Sequence, residues 1–249
     1  MSLDLNDLLR DWPHEPGQLK VRKILGTDGK EKIQLRIDLG VIQMETIGRP
    51  DGTEPHDCES LLEWNRSRVE RAEKKGEKFE LSPDDVGDLQ AEGIQYYHRY
   101  IALFQLQDYL GVIRDTQRNL EMFEFVEKNT SNEDIAWGVV QFTPYVRMMN
   151  TRAKASLAIE REDLVEAVRL IEKGIEKIKE FYGEHANPEA MEQSPEITFL
   201  TEWLQEVRDK RPLTKLERMQ REMDEAIKAE AYEKAAQLRD MIRALNLKK

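Results

Sequence analysis

One cysteine stands in 249 residues. A lone thiol, Cys58, forms no internal disulfide and excludes every zinc site built on Cys-x-x-Cys pairs. It fits a reducing compartment. Histidine is nearly as scarce, with His14, His56, His98 and His185 scattered along the chain. No run approaches the roughly 20 apolar residues of a membrane span. The first stretch, MSLDLNDLLRDW, has neither a basic n-region nor an apolar core, so a secretory signal is not expected. No GxxxxGKS/T phosphate loop and no helicase signature occur. These absences predict a soluble, cytoplasmic protein that spans no membrane, uses no cofactor or metal, and is not an enzyme.

What is present is charge. Charged residues make up 35% of the chain against 39% hydrophobic, a mix that suits helices with solvated outer faces better than a disordered chain. The net charge of −11 repels phosphates at long range, which disfavours generic nucleic-acid binding but leaves room for a local basic patch.

The length accommodates one or two domains. LDLNDLLR (3–10) reads as a short helix, and DWPHEPG breaks it. The period then becomes two. In KIQLRIDLGV, Ile33, Leu35, Ile37, Leu39 and Val41 alternate with mostly polar residues, as in a half-buried strand. LKVRKIL is its partner across GTDGK, where Asp28-Gly29 tolerates positive φ. VIQMETIG makes a third strand, with Gly40 allowing a bend. Residues 18–48 are thus a small antiparallel sheet. From Glu59 helices take over, and Ser82 before Pro83-Asp84-Asp85 is a strong N-cap.

An internal repeat follows. ALFQLQDYLGVIRDTQRNLEMFEF (102–125) aligns with LAIEREDLVEAVRLIEKGIEKIKEF (157–181), setting Asp108 on Asp163, Val112 on Ala167 and Phe123 on Ile178. Each unit is a helix end, a polar turn with an aspartate, and a second amphipathic helix. It resembles the helix–turn–helix unit of tetratricopeptide repeats. EFYGEHANPEAMEQSPE (180–196) interrupts the array, and PEITFLTEWLQEVRDK adds a helix with Phe199, Leu200, Trp203, Leu204 and Val207 on its buried side.

Pro212 opens a distinct tail. Leu213, Leu216, Met219, Met223 and Ala226 or Ile227, then Ala231, Ala235, Leu238, Ile242 and Leu245, recur at three and four, as in a coiled-coil seam. Tyr232 and Ala236 widen the stripe. Two short helices have too little core alone, so the hairpin is expected to dock on something helical, which its alanines would let approach closely. Periodicity alone leaves open whether that is the chain's own body or a partner.

MDEAIKAEAYEKAAQLRDMIRAL (223–245) resembles the UVR motif, the helical hairpin shared by the excision-repair proteins UvrB and UvrC. The residues that carry the resemblance are Met223, Ala226, Tyr232-Glu233, Ala235-Ala236, Leu238-Arg239-Asp240, Ile242 and Leu245, with tyrosine where phenylalanine is commoner. The resemblance covers about residues 212–247 and implies a bacterial protein that makes a protein–protein contact through this hairpin. It implies Met219, Met223, Ala226, Tyr232, Ala235, Ala236, Leu238, Arg239, Asp240, Ile242 and Leu245 as the protein-binding residues. The partner would be a protein with a helical docking surface, or a second copy in a homodimer. Asp240 can meet Arg243 at i,i+3 as a surface pair. Alternatively, Arg239 reaches a partner carboxylate.

Other groupings are weaker. His56 and Cys58 lie close in EPHDCES without a further ligand pair, and YYHRY (96–100) reads as core tyrosines. Lys20, Arg22, Lys23, Lys32 and Arg36 make the early sheet locally basic, which supplies the alternative of a DNA-binding accessory factor of excision repair. The expected architecture is mainly α: a β-containing region over 1–55, an α-hairpin array over 56–211, and a UVR-like hairpin over 212–249. The expected function is a non-enzymatic adaptor or scaffold.

Overall fold

A computed structural model describes residues 5–185, 188–210 and 215–246. The chain separates into two compact units, one ending at Leu204 and the other beginning at Gln205. Mainly α architecture with one small N-terminal sheet and a C-terminal helical hairpin is what the sequence predicts. Among the described residues, no helix is long and apolar enough to cross a membrane.

In the first unit, α1 (Asn6–Leu9) precedes an antiparallel sheet of β1 (Lys20–Leu25), β2 (Glu31–Ile37) and β3 (Gly40–Glu45), in that order. Register runs from Lys20↔Arg36 to Leu25↔Glu31, and from Lys32↔Glu45 to Ile37↔Gly40. Gly29 supplies the positive φ of the first turn, at 75°. The second turn corrects the sequence reading. The alternation through Leu39 and Val41 reads as one strand, yet the chain reverses at Asp38-Leu39, where the Asp38 carboxylate accepts from the Leu39 amide at 2.9 Å. Ile33 and Leu35 are buried as expected, whereas Ile37 and Leu39 are exposed.

A 3-10 turn (Pro55–Asp57) leads to α2 (Leu61–Lys75), which Ser60 caps by accepting from the Glu63 amide, and which Gly76 ends in the left-handed region. α3 (Pro83–Gln105) starts with a complete capping box: Ser82 accepts from the Asp85 amide at 3.1 Å, and Asp85 accepts from the Ser82 amide at 2.9 Å. α4 (Tyr109–Lys128), α5 (Glu133–Val140), α6 (Thr143–Glu160) and α7 (Leu164–His185) follow. α5 is an element the periodicity missed, though Asn132 before Glu133-Asp134 marks its start. α8 (Pro188–Glu192) sits inside the stretch read as an interruption. In α9 (Pro195–Lys210), Leu200, Leu204 and Val207 are buried, while Phe199 is exposed and Trp203 half-buried. The core joins Leu62 of α2, Leu89 of α3, Phe123 of α4, Val139 of α5, Val146 of α6 and Phe181 of α7.

The repeat is real in backbone terms. At the α3–α4 turn Gln107 has φ 60°, and the Asp108 amide donates to the Leu103 carbonyl at 2.9 Å. At the α6–α7 turn Glu162 has φ 60°, and the Asp163 amide donates to the Ala158 carbonyl at 2.9 Å. Each aspartate then caps the next helix by accepting from the amide three residues on, Gly111 and Glu166. Val112 and Ala167, aligned by the repeat, are both wholly buried.

Candidate functional site

The second unit holds α10 (Lys215–Lys228) and α11 (Tyr232–Asn246), packed against each other as a hairpin. Its turn repeats the geometry of the body hairpins. Glu230 has φ 57°, and the Ala231 amide donates to the Ala226 carbonyl at 2.8 Å. Ala231 stands where the other turns have a capping aspartate.

Exposure sorts the residues of the stripe. Met219, Ala226, Ala235 and Leu238 are buried. Met223, Ala236 and Ile242 are half-buried. Tyr232, Arg239 and Asp240 are exposed, and the side chain of Leu245 lies outside the described residues. This corrects two readings. Ala226 and Ala235 are spent inside the unit, where small side chains allow α10 and α11 to close up, so they offer no free surface to a partner. Arg239 meets its neighbour Asp240 at 3.1 Å on the surface, in place of the Asp240–Arg243 pair that was one of the two readings of these residues. Exposed apolar surface comes from Ile227, Tyr232 and Met241, and at 67% exposed Tyr232 is the most open of the three. The seam pattern offered Ile227 as the alternative to Ala226, and the buried alanine takes that place; Met241 was missing from the sequence-derived set because the pattern assigns its position to solvent. The tail carries nine Lys or Arg against seven Asp or Glu over residues 212–249, so it is weakly positive on a chain of net charge −11.

The comparisons bear on this unit. The family model described as the UvrB/uvrC motif matches residues 214–248. The tail is therefore a UVR motif, at the place and with the hairpin form that the resemblance implies. No curated protein and no solved structure matches the chain. The match stops short of the two body hairpins, and their tetratricopeptide likeness gains nothing from it.

The cations of the sheet have acceptors close by. Lys20 pairs with Glu15, Lys23 with Glu31 at 2.9 Å, and Lys32 with Asp28 at 2.7 Å and with Glu45. Arg22 lies 4.0 Å over the Trp12 ring and donates to Gln34 at 2.8 Å. Arg36, buried, donates to the carbonyls of Trp12 and Gly40, both at 2.9 Å, and to that of Ile37. His56 stacks on Trp64 at 4.6 Å, and Cys58 is half-buried beside it in the chain. Among the described residues, no group of three His, Cys, Asp or Glu is arranged to hold a metal.

What sequence reasoning missed is a buried ion network that ties the sheet to the helices. Arg99 and Asp115 are both 0% exposed and form a two-pronged pair, at 2.7 and 2.8 Å. Arg99 also donates to the Glu45 carbonyl at the end of β3 at 3.1 Å. Arg114 joins Asp115 at 2.9 Å and donates to the Thr46 carbonyl at 3.0 Å. Glu92, also buried, accepts from the Leu61 amide at 2.8 Å, so it caps α2 in addition to Ser60. It takes Arg49 at 3.0 Å and Arg118 as its cations. Burial, then Arg66 and Arg49, pull the Arg118 pKa down to about 9, which leaves it charged at neutral pH. The signal was in the sequence. Glu92 and Arg99 fall on the face of α3 that also carries Leu89, Tyr96 and Leu103, so two charges occupy core positions. Charges there must be paired. This network positions the sheet on the helical body.

Proposed function

We propose that the protein is a non-enzymatic adaptor that docks on a helical protein surface through its UVR hairpin. One observation carries the reading: the residues matched by the family model form a hairpin whose seam is closed, yet it keeps Ile227, Tyr232 and Met241 exposed beside Arg239. A two-helix unit this small gains from covering such side chains. Tyrosine and arginine are the residue types that most often dominate interface energetics. The mechanism is helix-in-groove recognition, with Tyr232 as the apolar anchor and Arg239 exchanging Asp240 for a partner carboxylate. A second copy of the hairpin is the close variant, since the same exposed residues can face their own counterparts. The DNA-binding alternative is less favoured, because Lys20, Arg22, Lys23, Lys32 and Arg36 already have acceptors or ring partners within the sheet region.

The test places a photo-crosslinking amino acid at position 232 of the full chain in its native cells. One discrete cross-linked protein, lost when Arg239→Glu is added and absent when the crosslinker sits at the exposed Leu110 instead, supports docking. A cross-link to a second copy identifies the homodimer. Equal labelling from positions 232 and 110 would sink the reading.

A further inference from the structure

The first unit contains a cavity of about 450 Å³ between α3, α4, α5 and the start of α6. Two features set it apart. First, its size lies within the range of small-molecule sites, on the order of 300–1,000 Å³. It is about three times the roughly 150 Å³ apolar cavity known to take up benzene. Second, none of its thirteen lining residues carries a formal charge, in a chain where 35% of residues are charged. The wall is aromatic. Tyr97 lies edge-on to Tyr100 at 5.5 Å and is tilted by 55° to Tyr145 at 6.3 Å. The polar side chains on it are Gln90, His98, Asn119 and the three tyrosines, and Asn119 is held by its bond to the Gly93 carbonyl at 2.9 Å. Burial raises the pKa of Tyr100 and of Tyr145 and lowers that of His98, so all three are neutral near pH 7. The rim is apolar and open: Ile94 is 49% exposed and Phe142 is 50% exposed. Gly93 lines the wall as well, and a Cβ there would lie 2.7 Å from the Met122 methyl, so the backbone is held close to the opposite side.

We propose that this cavity is a binding site for an uncharged, ring-bearing small molecule of two to three rings, stacked against Tyr97, Tyr100 and Tyr145 and entered past Ile94 and Phe142. Apolar rings gain from aromatic walls and from leaving water. A charged ligand would lose its hydration in a wall that offers no counter-ion. The site is separate from the docking hairpin and independent of that reading.

Two probes with one carbon framework test the proposal on the full chain. N-Phenyl-1-naphthylamine is neutral and fluoresces on entering an apolar site, and 1-anilinonaphthalene-8-sulfonate is the same framework with a sulfonate. The neutral probe is expected to bind saturably at one site per chain, at least tenfold more tightly than the sulfonate. The double substitution Ile94→Asp and Phe142→Ser, at half-exposed positions where folding is little affected, is expected to weaken the neutral probe at least tenfold while the helical circular dichroism is retained. Non-saturable binding, equal affinity for the two probes, or unchanged affinity in the double variant overturns the site. The comparison of the two probes on the unaltered chain needs no variant and decides the charge argument alone.

Discussion

Replacing Asp115 with asparagine should be among the most damaging conservative changes in the protein. The side chain keeps its shape and loses its charge. Arg99 is then left wholly buried with neutral acceptors alone, the Glu45 carbonyl at 3.1 Å and the one amide oxygen of the new side chain, while the amide NH2 opposes an arginine N–H and the Arg114 cation lies close by. Removing one partner of a buried pair costs about 3–5 kcal/mol, against a total stability on the order of 5–15 kcal/mol. For a unit of this size that corresponds to a fall in Tm of roughly 6–20 °C. Arg99→Met should cost less than Asp115→Asn, because Arg114 still neutralises Asp115 at 2.9 Å. The pair Arg99→Met with Asp115→Leu should recover most of the loss, since a buried ion pair is often matched by apolar residues of similar volume. Urea unfolding followed by tryptophan fluorescence isolates the relevant unit, because Trp12, Trp64, Trp137 and Trp203 all precede Gln205. If Asp115→Asn unfolds within about 1 kcal/mol of the unaltered chain, or the double variant is no better than the worse single one, the network does not hold the sheet on the helices as argued.

His185 should give stability a pH dependence of defined sign. Its Nδ1 lies 3.1 Å from the Phe181 carbonyl and its Nε2 2.5 Å from Glu127, and both partners are acceptors, so only the imidazolium satisfies them together. Burial opposes the charge, but the bonds to Glu127 and Phe181 outweigh it and raise the pKa above 6.5. This contribution is therefore complete below about pH 6.5 and disappears as pH rises through the folded value; His185→Gln should flatten the decline in urea midpoint across that window. His98, its pKa lowered by burial, has the opposite sign, losing stability as pH falls below 6.5, and proton NMR of the two imidazoles would separate them. Gly174→Ala should destabilise the first unit by about 1–3 kcal/mol, because a methyl there overlaps the buried Thr151 side chain across the α6–α7 contact. Ala226→Leu should lower hydrogen-exchange protection across α10 and α11, whereas Tyr232→Ala, at an exposed site, should leave it unchanged.

Local chemistry was legible in the sequence, and long-range pairing was not. Ser82 with Asp85, Gly29 in the first sheet turn, and Asp108 and Asp163 in the hairpin turns all act within a few residues, so their neighbours in the sequence decide their role. The break at Asp38-Leu39 was invisible because Ile37, Leu39 and Val41 continue the alternation straight through the turn. Glu92 and Arg99 fall at core positions of α3, which signals that they are paired, but their partners lie far along the chain. Arg99 finds Asp115 sixteen residues on and Glu45 fifty-four residues back, and Glu92 reaches across to Leu61. The aromatic cavity was likewise hidden, since its walls come from four helices and its rim from residues that the helical period assigns to neither core nor water.

The alanines of the tail show how one turn geometry serves two ends. In the body, the residues equivalent to Ala226 and Ala235 are Leu103 with Val112, and Ala158 with Ala167, all buried. Those hairpins have further helices against them, as α4 of the first packs on α6 of the second. In the tail the same close approach is reached with two alanines, which bury little area: a buried methyl contributes about 0.8 kcal/mol. Its turn also lacks the aspartate cap, worth about 1 kcal/mol where present. The tail hairpin is thus a weaker version of a fold element the chain builds well elsewhere, with Ile227, Tyr232 and Met241 left in water. Covering them with a partner adds the stability that the seam lacks, so binding and ordering of α10 and α11 should be coupled. Hydrogen exchange in the tail should therefore slow when the partner binds, and Ala231→Asp, which restores the cap, should slow it without the partner and tighten binding. A variant with raised protection and unchanged affinity would separate the two and refute the coupling.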